Sequence, residues 1–216
     1  MSAELVLHSY WRSSADYRVR IALNLKGLVY EQVAHDLRTG AQKAAGYRAI
    51  APQGFVPALV EGDRTFTQSL AILEWLEERH PDPALLPADV DDRAIVRSMA
   101  AIIACDIHPL NNQRVLATLR ETLAADAETV TRWIGGWIAD GFTALEVLVG
   151  NHGNGYCYGA APTFADCTLI PQLYSAERFG VDLTAFPRLV AVGLAARAQP
   201  AFAAAHPDRQ PDADRL

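Results

Sequence analysis

Two neighbouring serines stand at the start of a cationic segment near the N-terminus. Ser13 and Ser14, in the stretch WRSSADYRVRIAL, are accompanied by Arg12, Arg18 and Arg20. A serine hydroxyl is a weak nucleophile unless a base activates it, and this stretch contains neither histidine nor lysine. Two interpretations stay open. One is a helix N-cap, which stabilises by about 1 kcal/mol. The other is an anion site, where hydroxyls and amides at a helix start face a negative ligand.

A second strand-to-helix junction has a similar composition. Ser69 fits an N-cap ahead of an amphipathic pattern, and Gln68 beside it adds donors suited to a carboxylate. Between the junctions, Pro57 stands near the start of a predicted strand. If the Val56–Pro57 bond is cis, the turn would present the Val56 backbone to a ligand, which could pair with it as an extra edge strand. Serines at two positively polarised helix ends favour an anion site over a cap alone.

The elements that position these residues follow the order β-α-β-α-β-β-α. Apolar periodicity predicts them over residues 4–10, 14–26, 30–35, 42–50, 55–60, 65–68 and 69–79. In the helix at 14–26, the arginines are expected on one face and the apolar residues on another. Beyond a proline-rich linker the pattern is helical over 93–120, 126–149, 163–179 and 187–196, and a polar tail is expected as a surface strap or frayed end. We therefore predict an α/β domain (1–80), a linker (81–92) and an all-helical domain (93–216).

Composition and the remaining motifs exclude several kinds of function. The formal net charge of −6 over 216 residues weighs against a nucleic-acid partner. The apolar runs are too short for a bilayer and the first residues lack a signal-peptide pattern, so we expect a cytoplasmic protein with no membrane partner. The cysteine spacing indicates reduced thiols and no metal site, with Cys105 and Cys167 buried and Cys157 more exposed. Thr163 and Asp166 fit a capping box, a feature of folding rather than catalysis.

Taken together, these motifs resemble a known family. The segments RSSADYRVRIAL, FVPALV and TQSLAILEWLEE, with the proline-rich linker, resemble the thioredoxin-like domain of a glutathione transferase. The segments DIHPLNN, TFADCTLIPQ, AERFGVDLTAFP and HPDRQPD resemble its zeta class, which includes maleylacetoacetate isomerases and glutathione-dependent maleylpyruvate isomerases. The resemblance covers nearly the whole chain. It implies the glutathione transferase fold (a thioredoxin-like α/β N-terminal domain plus an all-α C-terminal domain), glutathione as cofactor and a homodimer.

The resemblance also implies roles for individual residues. Ser13, with Ser14 beside it, would assist the glutathione sulfur. A hydrogen bond to a charged group is worth about 1.5–3 kcal/mol and a helix N-terminus about 0.3–1 kcal/mol, enough to lower the thiol pKa by about 1–3 units. Arg12 and Arg178 would hold the carboxylates of a small anionic, dicarboxylate-like substrate, because the arginine fork grips a carboxylate with two hydrogen bonds. The other implied contacts are Gln42 at the glycine end of glutathione, Val56 at its cysteinyl backbone, Gln68 and Ser69 at its γ-glutamyl end, His108 and Asn112 from the helical half, and Arg114 at cofactor or substrate.

The implied chemistry is a cis–trans isomerisation. The glutathione thiolate would add to the cis double bond of maleylacetoacetate, the bond would rotate, and elimination would leave fumarylacetoacetate. Maleylpyruvate isomerisation by the same residues is one alternative. A general conjugating transferase, with a broad apolar pocket and no arginine pair, is another, and a non-enzymatic module would lack the serine elements. The family usually has a cysteine after the serine pair where this chain has Ala15, so the sulfur would come from glutathione.

Overall fold

The computed structural model describes residues 4–214, which form two compact units. The first comprises the residues up to Leu85 together with those from Ala198 onward, and the second is Leu86–Arg197. The predicted fold class is confirmed: a thioredoxin-like α/β unit is accompanied by a helical one. No helix within the described range is both long and apolar enough to cross a membrane.

A four-stranded mixed sheet forms the centre of the first unit. Its strands are β1 (Leu5–Ser9), β2 (Tyr30–Ala34), β3 (Ala58–Glu61) and β4 (Arg64–Thr67), in the order β2-β1-β3-β4. β1 is parallel to β2 and antiparallel to β3, and β3 and β4 form a hairpin. The parallel pair requires a crossover, which α1 supplies. The helices of this unit are α1 (Ser14–Leu25), a 3-10 turn at Ala41–Lys43, α2 (Ala45–Ile50) and α3 (Ser69–Arg79).

The third strand begins three residues later than predicted. We expected it from Phe55, but the ladder starts at Ala58. Pro57 has no N–H group to donate to a neighbouring strand, so it stands outside the ladder. The Val56–Pro57 bond is cis. The segment 55–57 is therefore a connection that leads into the sheet rather than part of it.

Helix α1 is buried on several sides. Two of its buried residues are arginines that we expected on a polar face. Arg20 has no exposed surface and Arg18 is 2% exposed. Arg20 donates from Nε to the Ala205 carbonyl (3.1 Å) and from Nη2 to the Trp11 carbonyl (2.9 Å). A buried guanidinium needs such acceptors, and helical periodicity does not reveal where they lie.

The C-terminal residues pack onto α1 and so belong to the first unit, whereas the predicted boundaries assign them to the helical domain. They contain α9 (Pro200–Ala205) and a 3-10 turn at Pro207–Arg209, and α9 lies against α1. The Gln210 side chain is buried and donates to the carbonyls of Ala204 and His206. Of the two expectations for the tail, these contacts match the surface strap.

Helices make up the second unit. They are α4 (Val90–Ala101), α5 (Gln113–Glu121), α6 (Ala127–His152), α7 (Phe164–Arg178) and α8 (Pro187–Arg197). The continuous helix predicted over 93–120 is interrupted by a π-helical turn at Ile102–Ile107 and a 3-10 turn at His108–Asn111. Pro109 lacks the amide that a regular helix needs, which accounts for a break at this point.

The predicted capping box at the start of α7 is confirmed. The Thr163 amide and hydroxyl donate to Asp166 Oδ2 (2.7 and 2.8 Å), and the Cys157 amide donates to Oδ1 (2.8 Å). Cys157 is therefore buried, which corrects the expected exposure of its loop, and burial raises the pKa of its thiol. Cys167 is buried as predicted. Cys105 is exposed rather than buried, because the π-helical turn shifts the periodicity on which the prediction rests.

Candidate functional site

Ser13 is the N-cap of α1. Its Oγ accepts a hydrogen bond from the Asp16 amide (3.3 Å), and its own amide donates to the Tyr10 carbonyl (3.0 Å). The cap uses the hydroxyl oxygen as an acceptor and does not use the hydroxyl proton. The two interpretations of this serine are therefore compatible, since one side chain can cap the helix and still donate to an anion.

The first turn of α1 adds backbone donors to this hydroxyl. The amides of Ser14 and Ala15 have no backbone acceptor within residues 4–214, as is usual for the first turn of a helix. Ser13, Ser14 and Ala15 are each half-buried, so the turn is open to a ligand on one side. Aligned peptide dipoles make this end of the helix partly positive. The arrangement suits an anion such as a thiolate, which Ala15 itself does not provide.

Asp16 is completely buried in the first turn of α1. Its Oδ2 accepts from the Tyr10 amide at 3.2 Å. Burial raises the pKa of Asp16 to about 7, against the opposing effects of the Arg20 charge and of hydrogen bonds from Ser13 and Tyr10. The sequence pattern does not single out this residue, although its place three residues after a serine cap is the capping-box position.

The raised pKa of Asp16 makes stability depend on pH. The unfolded carboxyl group has a pKa of about 3.9, so the folded state binds the proton more tightly. The contribution of Asp16 protonation to the free energy of unfolding is full below about pH 4 and is lost as the pH rises through about 7. Between about pH 5 and 8, we expect the unfolding free energy of wild type to fall more than that of Asp16→Asn, by on the order of 2 kcal/mol.

Urea denaturation followed by circular dichroism measures this difference. Asp63→Asn, in the exposed turn between β3 and β4, is the matched control and should follow the wild-type pH profile. If Asp16→Asn also follows the wild-type profile, Asp16 does not titrate in this range.

Gln68 has a backbone conformation that is unusual for a residue other than glycine. Its φ is +69°, and such conformations cost about 1–3 kcal/mol and are concentrated at functional sites. Its side chain is exposed, and Nε2 donates to Gln53 Oε1 (2.6 Å). Gln68, and not Ser69, is the N-cap of α3, and it makes no side-chain capping bond. Ser69 is buried, and its Oγ accepts from Arg18 Nη1 (3.1 Å), a contact that leaves the hydroxyl proton for another acceptor.

Val56 and Gln42 are two further candidate residues of the first unit. The condition for a ligand-facing turn, a cis Val56–Pro57 bond, is met. The amide and carbonyl of Val56 have no backbone partner among residues 4–214, which leaves both open to an extended peptide.

Gln42 lies in the 3-10 turn, half-buried, and its backbone carbonyl would lie 2.9 Å from a Cβ at Gly54 (φ +66°). Only glycine permits this close approach.

Arg12 precedes the serine pair and lies over an aromatic ring. Its guanidinium carbon is 5.1 Å from the centroid of the Trp11 ring, within the range of a cation–π contact. Arg12 and Trp11 line a cavity of about 770 Å³ whose other walls are residues of the tail, including Arg209 and Asp214. The cavity gives the half-buried Arg12 access to a small solute.

The second unit carries the remaining candidates. His108 begins the 3-10 turn and is half-buried, and Asn112 is the N-cap of α5, with Oδ1 accepting from the Arg114 amide (3.2 Å). Arg114 is exposed in the first turn of α5. Arg178 is the last residue of α7, exposed, with its guanidinium carbon 4.5 Å from the centroid of the Phe179 ring. Thus three of these residues are grouped where the long predicted helix is interrupted, and Arg178 stands at a different helix end.

Comparison with known proteins gives consistent relatives across the whole chain. Residues 7–84 match the glutathione S-transferase N-terminal domain family. Maleylacetoacetate isomerase of Pseudomonas aeruginosa is 50% identical over 209 residues, which is 95% of this chain and 97% of that protein. The holo structure of a bacterial maleyl pyruvate isomerase, a zeta-class glutathione S-transferase, has a TM-score of 0.95 and 48% identity, covering 97% of this chain and 100% of that one.

A further solved structure carries bound small molecules. It is a maleylacetoacetate isomerase from Anaeromyxobacter dehalogenans with dicarboxyethyl glutathione and citrate in its active site. Its TM-score is 0.88 and its identity 48%, and the match covers 99% of both chains. Fold, sequence identity and coverage agree, and the chain therefore belongs to the glutathione transferase family, within the zeta class that contains the maleylacetoacetate and maleylpyruvate isomerases.

Proposed function

We propose that this protein is a glutathione-dependent cis–trans isomerase that converts maleylacetoacetate to fumarylacetoacetate, with maleylpyruvate as the alternative substrate. The observation that carries the proposal is the geometry at Ser13. A capping hydroxyl, whose proton the cap does not use, stands at an open, positively polarised helix start, and Ala15 in the same turn provides no thiol. Such a site stabilises a sulfur anion that a cofactor must bring.

The residues of the first unit fit glutathione. A γ-glutamyl carboxylate would be held at the start of α3 by Gln68 and Ser69, where the strained φ of Gln68 sets the side chain at the helix end. The open peptide group of Val56 would pair with the cysteinyl backbone, and Gln42 would contact the glycine end. Each contact uses a donor or an acceptor that the fold leaves available in the first unit.

Bound glutathione supplies a thiolate that adds to the cis double bond and leaves after rotation. The Ser13 hydroxyl and the first amides of α1 would stabilise the sulfur charge, with Ser14 at the first position of the helix. The hydrogen bond from the same hydroxyl lowers the pKa of Asp16. This carboxyl group and the sulfur therefore compete as acceptors for the one hydroxyl proton of Ser13. Because burial raises the pKa of Asp16 to about 7, the carboxyl group is partly neutral near neutral pH and competes less.

Three arginines would hold the charges of the substrate. Arg12 faces a cavity next to the serine pair, and Arg178 and Arg114 present exposed guanidinium groups at helix ends of the second unit. A guanidinium grips a carboxylate with two parallel hydrogen bonds, which favours a dicarboxylate-like substrate over an apolar electrophile. We propose that His108 and Asn112 contribute further polar contacts to glutathione.

We also propose a homodimer as the assembly and the cytoplasm as the compartment. The homodimer follows from the resemblance to the zeta class, and the cytoplasm from the cysteine pattern, the short apolar runs and the N-terminal sequence. The dicarboxyethyl glutathione bound to the relative from Anaeromyxobacter dehalogenans combines glutathione with a four-carbon diacid. This ligand supports a site that accepts both glutathione and a diacid substrate.

A direct assay on the purified protein tests the proposed reaction. Maleylacetoacetate and maleylpyruvate are each supplied with and without glutathione, and the product and the free thiol are followed together. We expect turnover only with glutathione and full recovery of the free thiol, and the ratio of the two rates identifies the preferred substrate. Turnover without glutathione would contradict the proposal. Stoichiometric loss of free thiol would instead indicate a conjugating transferase.

A further inference from the structure

The loop that leads into α1 is held by groups from distant parts of the sequence. We call residues 10–13 the β1–α1 loop. The Tyr10 amide donates to Asp16, and the Trp11 carbonyl accepts from Arg20 Nη2 (2.9 Å). The Trp11 amide donates to Asp212 Oδ2 (2.9 Å), a residue 201 positions away. Because a carboxylate accepts this last bond, it belongs to the stronger, charge-assisted class.

Asp212 is itself held in place from two directions. Its second oxygen, Oδ1, accepts from Gln32 Nε2 (3.3 Å) on β2 of the sheet. Two residues earlier, the buried Gln210 ties the tail to α9 and the turn after it through the Ala204 and His206 carbonyls. Asp212 is therefore tied to the sheet and to the tail by contacts that do not involve the loop.

The bond from Asp212 reaches the amide of Trp11, the residue immediately before Arg12. The Ser13 amide is bonded to the Tyr10 carbonyl, which belongs to the same peptide group as the Trp11 amide. The bond to Asp212 therefore acts on a short stretch that ends at Ser13. The guanidinium of Arg12 rests over the ring of Trp11, so the orientation of this tryptophan also sets that of the arginine. We expect loss of this bond to shift the side chains of Arg12 and Ser13.

We propose that Asp212 is a positioning residue that holds the β1–α1 loop in the conformation in which Ser13 and Arg12 act. This inference rests on the proposed function for what the two side chains do. Asp212 touches neither glutathione nor substrate in this proposal and acts only through the loop. The tail residues around Asp212 therefore orient active-site residues in addition to packing on the first unit.

Three measurements on the full chain test this role. Asp212→Ala removes both bonds, and Asp212→Asn keeps one oxygen acceptor and should rescue part of the effect. Asp63→Ala is the matched control, because Asp63 lies in the exposed turn between β3 and β4, at the end of the sheet opposite the loop. The measurements are hydrogen exchange of the Trp11 amide, the ultraviolet titration of the thiol of bound glutathione, and the steady-state rates.

We expect Asp212→Ala to speed exchange at the Trp11 amide at least about tenfold. We also expect it to raise the pKa of the bound thiol by about one unit and to lower kcat about tenfold with little change in the KM for glutathione. The KM should persist because Gln68 and Ser69 lie outside the loop. Asp63→Ala should match wild type in all three measurements.

Several outcomes overturn the inference. Unchanged exchange at Trp11 shows that Asp212 does not hold the loop. Faster exchange with wild-type thiol pKa and wild-type kcat shows that the bond serves stability alone, and the same conclusion follows if Asp212→Ala fails to fold and Asp212→Asn shows wild-type thiol pKa and kcat. If wild type itself shows no bound thiolate, the proposed function fails, and hydrogen exchange still decides whether Asp212 holds the loop.

Discussion

Replacing Ser13 by alanine should lower kcat/KM of the isomerisation by about 10- to 150-fold. The estimate follows from the loss of a charge-assisted hydrogen bond worth about 1.5–3 kcal/mol to the sulfur anion. The effect should fall on the thiol as well, because the pKa of bound glutathione rises when its donor is removed. Steady-state kinetics and the ultraviolet titration of the bound thiol measure the two effects.

The Ser13→Ala variant also loses the N-cap, which costs about 1 kcal/mol of stability, so capping and catalysis must be separated. Ser13→Gly does this, because glycine caps a helix within a few tenths of a kcal/mol of serine but carries no hydroxyl. We expect Ser13→Gly to be nearly as stable as wild type and as inactive as Ser13→Ala. Near-normal rates in Ser13→Gly would assign Ser13 to capping alone. Ser14→Ala, one position later, should lose much less activity.

The local parts of the fold could be predicted because they depend on residues close in sequence. Alternation and helical periodicity predict the strand and helix order from β1 to α3, and α3 begins at Ser69 and ends at Arg79 as expected. They do not predict α9, which completes the first unit. The capping box at Thr163 follows from the same short-range chemistry. Where one residue changes the local hydrogen bonding, prediction fails within a few positions. Pro109 breaks a helix that periodicity extends, and Pro57 delays a strand.

The contacts that complete the candidate site are long-range and leave no periodic signal. Asp212 meets the Trp11 amide across 201 positions, and the burial of Arg20 depends on a carbonyl 185 positions away. The positive φ of Gln68 is imposed by the junction between β4 and α3, and its residue type does not indicate it. A serine at a helix start can be recognised from sequence, but the groups that orient it become visible only once the chain is folded.

The largest expected effect on stability lies away from the site, in a buried ion pair between α1 and α3. The Lys26 ammonium group has no exposed surface and donates to Glu77 Oε2 (2.8 Å). It donates as well to the carbonyls of His80 and Pro83 (2.7 and 3.0 Å). The Glu77 carboxylate also accepts from the Leu85 amide. One pair thus fixes the ends of both helices and the residues that follow α3.

Glu77→Gln should lower the free energy of unfolding by about 3–5 kcal/mol. Removing one charge of a buried pair leaves the other uncompensated, and two carbonyl groups replace only part of the lost attraction. Chemical denaturation measures the change. Glu78→Gln, at the neighbouring exposed position, is the matched control and should stay within about 0.5 kcal/mol of wild type.

A double variant shows whether the loss comes from the unpaired charge. Lys26→Met with Glu77→Leu replaces both partners by apolar side chains of similar size, and such replacements of a buried ion pair are often neutral or stabilising. We expect the double variant to be more stable than Glu77→Gln, although two carbonyls and the Leu85 amide lose their partners. If the double variant is the less stable of the two, those backbone contacts outweigh the ion pair. Lys26 would then act chiefly by satisfying the carbonyls that end α3 and begin the linker.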